Sequence, residues 1–590
     1  SNYFTPYATN PYWTINENST YIDGNRFYGN TNLAYNFNNN LSISYQIGGD
    51  YRNEKIKSYG AKVTFEPNSP QSDGGANAVV GGVTEITNEF VQFESNLILN
   101  YNTKINDNLN ISSFVGFGTN ERKTSTLLAS ITNLDIPNFY ELTNSAIKPN
   151  VAQTNSLRRS YSTYASIETS YKEKLFLTLT GRNDWTSTLP KGSNSYFYPS
   201  ASLSAIVIDN SDYFLKLRTG IARLANDTAA YQTSSTLVQG SSFLGFGNIF
   251  LPIGGVNGYE FAGNLGNQNL KPEFVTEFEF GFESNLFSKR VNLDASFYSK
   301  KTDGLIIPLP LPTSTGYNSI RSNAVDLTNK GIELVLNIIP FRNENFKWDF
   351  TTTFSKNNSK VTNVIGDTNK IQLASNYGVS FNAIVGEPLG VFSTFVPLKN
   401  DAGQYIVDEN GYYVVSDDEQ NIGTSQRDFV LGFKNSITYK NINLSFGLDW
   451  KKGGEMYSYT KRLSHFTGNG IETTYNDRNP FIIPNSVVDN GDGTYSENTT
   501  PISLENITDF YNTQSNPGIE RGHVIDKTFV RLRDLSITYN IPSKLLKNTG
   551  LTNLSFSVYG KNLAMWTPDE NPYIDPELST FGTGLLSEQG

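Results

Sequence analysis

Apolar and polar residues alternate with a period of two along segment after segment of this chain, and no other feature restricts its fold as tightly. Ile442, Leu444, Phe446, Leu448 and Trp450 fall on one side of an extended segment, with Asn443, Ser445, Gly447 and Asp449 on the other. Phe278, Phe280 and Phe282 alternate with Glu277, Glu279, Gly281 and Glu283; Val291, Leu293, Ala295 and Phe297 alternate with Asn292, Asp294, Ser296 and Tyr298. Leu554, Phe556 and Val558 repeat the pattern. Successive side chains of a strand point to opposite faces, so these segments predict strands with one apolar and one polar face. A helical membrane protein is excluded, because nothing approaches the ~18 consecutive apolar residues such a helix needs. Even Ile332 to Phe341 is interrupted by Glu333 and Asn337. Alternation alone fits two architectures: a sandwich with its apolar face inward, or a membrane barrel with its apolar face toward lipid and its polar face toward a wet lumen.

Connection lengths favour the barrel. Several strand pairs are joined by short polar turns, at Ile105-Asn106-Asp107-Asn108, Tyr171-Lys172-Glu173-Lys174, Phe287-Ser288-Lys289-Arg290 and Tyr439-Lys440-Asn441. Between them lie long stretches rich in Gly, Asn, Ser and Asp: Ser69 to Thr87, Ser125 to Leu157, Asn226 to Leu270, Thr313 to Leu327, Asp401 to Phe429 and Met456 to Lys527. Short turns alternating with long loops is the layout of an outer-membrane barrel, with periplasmic turns and extracellular loops. About fifteen strands of ~9–11 residues are expected, leaving over half the chain for loops. No charge block, Pro-rich linker or fixed repeat divides the 590 residues.

Composition agrees. Aromatic residues make up 13%, which suits strands and interfacial girdles. The net charge of -10 offers no basic field for nucleic acid or an anionic membrane surface. The absence of Cys suggests export without disulfide chemistry. Ser1-Asn2-Tyr3-Phe4 has neither the basic nor the apolar region of a signal peptide.

Chemistry-bearing motifs are scarce. His465 and His523 are the only histidines, both in loop-like sequence. Without Cys no Cys/His zinc site forms, and neither His-Glu-x-x-His nor Gly-x-Ser-x-Gly occurs. No Gly-rich phosphate loop follows a strand and opens a helix. Carboxylates are scattered over loops with no spacing that marks a glycosidase pair. The chain therefore reads as a non-enzyme without a cofactor. Asp489-Asn490-Gly491-Asp492-Gly493 resembles the start of a calcium loop, with Asp489 and Asp492 as candidate ligands. It lacks the Glu about six residues after the Gly, and a solvated turn is the competing reading. Asp417-Asp418-Glu419 reads as a solvated loop.

An ordered series of motifs carries a family resemblance. Asn10-Pro11-Tyr12-Trp13 comes first. Gly181-Arg182-Asn183-Asp184-Trp185-Thr186-Ser187-Thr188-Leu189-Pro190 follows, then Tyr196-Phe197-Tyr198-Pro199-Ser200. Next come Lys216-Leu217-Arg218, Gly220 and Asn226-Asp227. Leu270-Lys271-Pro272-Glu273 leads to Thr276, Glu277 and Gly281, and then to Tyr298, Lys300 and Thr302. Asn323-Ala324, Asn329-Lys330-Gly331-Ile332-Glu333, Phe346-Lys347-Trp348 and Asn357 continue it. Phe529-Val530-Arg531-Leu532-Arg533-Asp534-Leu535-Ser536 through Tyr539 and Pro542, Gly560-Lys561-Asn562-Leu563 and Asp575-Pro576-Glu577 close it. The series resembles the SusC/RagA family of TonB-linked outer-membrane proteins, with departures at Ala324-Val325 and at Ile422 to Phe429. Physically, Gly181, Gly220, Gly281, Gly331 and Gly560 are expected at strand bends or close backbone approaches. Pro190, Pro199, Pro272 and Pro542 are expected at strand ends, where a missing N–H costs little.

The resemblance implies an all-β fold: a large antiparallel transmembrane β-barrel of the TonB-dependent transporter type, roughly 22 strands when complete. The expectation for residues 1–590 is a partial outer-membrane barrel, without plug, N-terminal extension or last strands. The implied function is TonB-dependent import of a large nutrient, an oligosaccharide or peptide. The implied partners are a SusD-like surface lipoprotein, TonB through the N-terminal region, and outer-membrane lipid; family members also pair as dimers of importer-plus-lid complexes. Loop aromatics Tyr231, Phe243, Phe246, Tyr377 and Tyr405 are the candidate ligand contacts, with loop packing as the competing reading. Two other functions compete. One is a SusC-like barrel acting as a structural subunit of a larger outer-membrane complex; the other is a surface glycanase, which would need a loop carboxylate pair in a cleft.

Overall fold

The computed structural model describes residues 9–73, 78–239, 241–244, 247–251, 253–366, 368–547, 549–572 and 574–577. These residues group into two units. The first comprises Ser1–Thr169, Leu179–Tyr198 and Asp227–Ser234; the second comprises Ser170–Thr178, Pro199–Asn226 and Ser235–Gly590.

The first unit opens with the short helix Pro11–Glu17, capped by the Asn10 side chain, which accepts from the Tyr12 amide. An antiparallel meander follows: β1 (Ser19–Asn36), β2 (Leu41–Gly60), β3 (Gly82–Asn106) and β4 (Leu109–Thr132). Its turns are set by Asn. The Asn38 carboxamide oxygen accepts from the amides of Asn40 and Leu41, and that of Asn106 accepts from the Asn108 amide. Three strands, β5 (Asn150–Tyr171), β6 (Leu175–Thr186) and β7 (Ser195–Asp209), contribute residues to both units.

In the second unit, β7 starts a ten-strand antiparallel meander. It continues through β8 (Phe214–Asn226), β9 (Glu273–Leu286), β10 (Val291–Pro310), β11 (Ser319–Arg342) and β12 (Phe346–Val364). It then runs through β13 (Phe429–Tyr439), β14 (Ile442–Lys452), β15 (Phe529–Asn540) and β16 (Ser555–Trp566). The short connections fall where the sequence placed them. Lys172-Glu173 and Phe287-Ser288-Lys289 have positive φ, the twist that a tight hairpin demands.

Burial separates the two architectures that alternation left open. Along the strands the apolar face is the exposed one: Val558 is 78% exposed, Phe556 64%, Phe278 53% and Ile221 53%. A sandwich would bury these side chains. A lipid-facing surface leaves them bare, since the polar solvent is then on the other side. Buried apolar residues gather instead at strand ends. Ile307, Ala324, Val325, Leu327, Val361 and Val364 pack with Ile371 and Ala383 of the following loop segment.

The strands are longer than expected. Among the described residues the sixteen labelled strands run from 11 to 25 residues, where ~9–11 suffice to cross the hydrocarbon. Gly82 to Thr87, Ser125 to Thr132, Asn150 to Leu157 and Ser319 to Leu327 were expected in loops and are strand. These extensions mix polar and apolar residues on both faces, as in Asn150-Val151-Ala152-Gln153-Thr154-Asn155-Ser156-Leu157, so periodicity cannot mark them. The β3–β4 ladder, for one, continues through them, pairing Gly82 with Thr132 through Thr87 with Leu127. Pro199 was expected at a strand end and lies inside β7, one residue past the last pair of the β7–β8 ladder, Ser200 with Ala222. Its missing N–H therefore costs that ladder nothing.

The family-motif glycines make room for large side chains. A Cβ on Gly281 would sit 2.7 Å from the Ala295 carbonyl oxygen and 2.8 Å from the Arg218 Nε. One on Gly331 would overlap the Tyr298 ring and approach the Lys356 carbonyl oxygen to 2.7 Å. Gly181 lies under Phe197, and Gly560 under Leu563. Gly220 has only ordinary contacts, so nothing crowded explains it.

Other motif residues tie strand tops. In the first unit, Asp227 accepts from Arg158 at 2.6 Å and from the hydroxyls of Thr186 and Thr188 at 2.5 and 2.8 Å. In the second, Asn323 accepts from the Lys271 amide and donates to the carbonyls of Lys271 and Gly304. The Asp575-Pro576-Glu577 segment folds onto basic residues of β14 and β15. Arg531 reaches Asp575 at 2.5 Å and Glu577 at 2.8 Å. Arg533 pairs with Glu577 and with Asp449, and Lys451 lies 3.3 Å from Glu577.

Three outcomes are expected. Gly331→Val should destabilise the barrel by about 2–3 kcal/mol through overpacking, read as a lower urea midpoint for the loss of the folded band in semi-native electrophoresis. Asp227→Ala should cost about 2–3 kcal/mol in the same assay, because it leaves Arg158 and two hydroxyls without their acceptor. Hydrogen bonding from Arg533 holds the Glu577 carboxyl at about 2, below its ordinary 4.5. The clamp is then fully present above pH 4.5 and weakens as pH falls from 4.5 toward about 2. Proteolytic nicking after β16 should rise over that window, and Glu577→Gln should flatten the profile.

Candidate functional site

The polar face of β8, β9 and β10 is a charged and hydroxylated wall. Arg218 is held in a fork by Asp294, at 2.9 and 2.7 Å, and donates to the Ser296 hydroxyl at 2.6 Å. Its Nε lies 3.5 Å from Glu279, which also accepts from Ser296 at 3.0 Å. Register puts these groups together: Arg218 stands opposite Gly281, and Gly281 opposite Ser296. The absent Gly281 side chain is what lets the guanidinium cross its neighbouring strand. Lys300 pairs with Glu277 at 3.5 Å, and Tyr298 donates to Asn357. Beside Arg218 lies a concavity of about 440 Å³, lined by Ser202, Ser204, Lys216, Arg218, Glu277 and Glu279 among others. Leu217 and Ile221 stand opposite Phe282 and Phe278 on the outer face.

The longest loops form a packed layer. Lys370–Asn376, Val379–Ile384, Val391–Thr394 and Gln420–Thr424 make a four-stranded sheet. Tyr405–Val407 pairs in parallel with Ser486–Asp489, and Glu455–Tyr457 pairs antiparallel with Val524–Asp526. Val407, Tyr412, Ile483, Ile502 and Phe510 form a core of their own. The helix Tyr459–Phe466 is capped by Ser458, whose hydroxyl accepts from the Lys461 amide. This helix is reversed in polarity: Lys461, Arg462 and His465 are buried, while Tyr459, Leu463 and Phe466 are each 42% exposed.

Both histidines, expected in loop-like sequence, are therefore structured and buried. A short amphipathic helix whose polar side points inward gives no readable signal. Glu419, expected in a solvated loop, accepts from Lys370 at 2.7 Å and from the Ser380 hydroxyl at 2.6 Å; Asp417 and Asp418 are exposed.

The sequence-derived ligand candidates are scattered. Tyr231, in the first unit, is 57% exposed, and its hydroxyl accepts from the Leu157 amide. In the second unit, Tyr377 stacks on Tyr459 at 5.2 Å with the Arg462 guanidinium 3.8 Å from its ring. Tyr405 meets Tyr413 edge-on and has the Lys399 ammonium 4.3 Å from its ring. Phe243 lies on the short strand Ser241–Leu244, and its side chain is outside the described residues, as is Phe246 altogether. Asp489 and Asp492 sit in a hairpin turn, where Asp489 accepts from the Gly491 amide and Asp492 from the amide and hydroxyl of Thr494. Those hydroxyl and amide bonds lower the Asp492 carboxyl below its ordinary value. Among the described residues no three His, Asp or Glu side chains cluster as metal ligands. The wall around Arg218 was missed as a site because its residues read as strand motif; the signal was the run of charges on alternate positions of β9.

The family described as TonB dependent receptor-like, beta-barrel matches residues 1–563. TonB-dependent receptor P26 of Formosa agariphila is 27% identical, over 96% of this chain and 57% of its own length. TonB-dependent receptor SusC of Bacteroides thetaiotaomicron is 26% identical, over 31% of this chain and 20% of its own. A solved structure of the RagAB peptide transporter superposes with a TM-score of 0.74 at 16% identity, covering 95% of this chain and 60% of that one. The chain thus spans a little over half the length of the long-aligned relatives and shares the fold of that structure. With its antiparallel ladders, bare apolar outer faces and polar inner wall, the chain belongs to the TonB-dependent receptor β-barrel family of the outer membrane.

Proposed function

We propose that residues 1–590 form the barrel wall of an energised outer-membrane importer for a large nutrient, an oligosaccharide or peptide. The observation that carries this reading is the wall itself. One face of β8–β10 presents Lys216, Arg218, Glu277, Glu279 and Ser202 around a concavity, while the other presents bare Phe and Ile. A paired, hydroxylated surface offers hydrogen bonds to sugars and peptide backbones alike without fixing either through a net charge. The relatives support the reading in their names, a peptide transporter in one case and SusC in another. A SusD-like lipoprotein is the partner proposed for the packed loop layer, TonB the source of energy through the rest of the full-length protein, and pairing into a dimer the expected assembly. Tyr377 is the loop aromatic best placed for ligand stacking. It is half-exposed, and its left-handed backbone, with φ of 52°, is a strain that Tyr459 and Arg462 hold in place.

The reading is tested in the native full-length protein. Asp294→Ala frees Arg218 from its fork, and Arg218→Ala removes the cation. Both should lower uptake of labelled oligosaccharides or peptides severalfold at unchanged folded-barrel yield. A mild-detergent pull-down should recover a stoichiometric SusD-like lipoprotein. Unchanged uptake with both variants would remove the wall from the ligand path. Several other outer-membrane subunits in fixed ratio would turn the assignment to a structural role in a larger complex.

A further inference from the structure

The protein's two histidines, 58 residues apart, touch each other in the loop layer. His465 Nδ1 and His523 Nε2 are 3.1 Å apart. The outer nitrogen of each ring faces a carboxylate: His465 Nε2 lies 3.2 Å from Glu472, and His523 Nδ1 lies 3.8 Å from Glu520. His523 is 0% exposed, Glu520 1% and His465 9%. Three segments meet here. The helix Tyr459–Phe466 brings Lys461, Arg462 and His465; Pro517–His523 brings Glu520 and His523; Glu455–Tyr457 brings Tyr457. Tyr457 donates to Glu520 at 2.8 Å, Arg462 lies 3.9 Å from the other Glu520 oxygen and donates to Thr513, and Lys461 lies 3.8 Å from Glu472. The Tyr511 ring packs edge-on against His465.

Hydrogen counting restricts this arrangement. The inner contact needs one hydrogen, His465 Nε2 beside Glu472 calls for a second, and a third on His523 Nδ1 faces Glu520 at 3.8 Å as an ion pair rather than a hydrogen bond. Three ring hydrogens on two imidazoles amount to one positive charge, set between Glu472 and Glu520. A fourth hydrogen would place two N–H groups head to head across the 3.1 Å contact. We propose that the His465–His523 pair is a proton lock on the loop layer: it closes the layer while it holds one shared proton, and a second proton opens it.

Burial, followed by the neighbouring His523, lowers His465 below its ordinary 6.5, against an upward pull from Glu472. The open layer accepts a proton near pH 6.5 that the closed layer refuses. Closure therefore weakens as pH falls below 6.5. The element released is the helix that presents Tyr459, Leu463 and Phe466 outward, so the lock couples acidity to the apolar surface this loop offers. The device stands apart from transport and is read without it.

The experiment is hydrogen–deuterium exchange with mass spectrometry on the full-length protein in detergent, at pH 7 and pH 5, corrected for intrinsic exchange. Peptides from 455–527 should open several-fold more at pH 5. Peptides from β10 and β11 should be unchanged. His465→Gln should abolish the acid response. Should that variant fail to fold, Glu472→Gln, at a half-exposed position, should deepen the loss at pH 5 by removing the pull that raises His465. A flat wild-type profile, equal loosening of β10 and β11, or an acid response that survives His465→Gln overturns the proposal. So does protection of 455–527 by micromolar zinc, which would make the pair a metal site.

Discussion

Everything in this protein depends on the backbone ladder. In hydrocarbon an unpaired amide or carbonyl costs several kcal/mol, so a chain that crosses lipid in strands must pair each one with a neighbour. The long registers meet that demand: β3 and β4 are in step from Gly82 with Thr132 to Lys104 with Asn110. Once the ladder is in place, side chains are free to specialise. One face supplies Phe, Leu and Val to lipid, and the other has to remain hydrated. The protein is thereby turned out relative to a soluble β fold, with dense apolar rows exposed and, among the described residues, its buried apolar side chains gathered mainly at strand ends and in loops.

The polar face obeys a second constraint, which is space. Neighbouring strands lie ~5 Å apart, and a long side chain can lie across its neighbour only where that neighbour has none. Gly281 under Arg218 and Gly331 under Tyr298 are the instances that matter most. The first lets a guanidinium bridge Asp294, Ser296 and Glu279 across two ladders. The family motifs are thus mostly the grammar of such crossings and of strand-top ties, among them Asn323 on Lys271 and Gly304, and Asp227 on Arg158, Thr186 and Thr188.

The loops are built on a different principle. Residues 370–424 and 455–527 fold as an aqueous layer with cores of their own, and they spend charged groups inside it. Glu520, Arg462, Tyr457 and the two histidines form one buried network. Burial raises the Tyr457 hydroxyl above its ordinary value, as does the adjoining Glu520. Such a network is costly to break and specific in geometry, so it fixes the shape of the loop layer while it is intact.

Alternation, turn residues and motif order by themselves determined the all-β class, the apolar rows, the hairpins at Lys172-Glu173 and Phe287-Ser288, and the family. Those properties are local, because a strand's two faces and a turn's φ are set within a few residues. Strand length was not legible, because the extensions of β3 and β4 have no rhythm, and it is the neighbouring strand that keeps them extended. Nor were the fork on Arg218, the clamp of Asp575 and Glu577, or the meeting of His465 with His523. Each joins residues at least 44 positions apart, and only the register of the ladders and the packing of the loop layer bring such groups within reach.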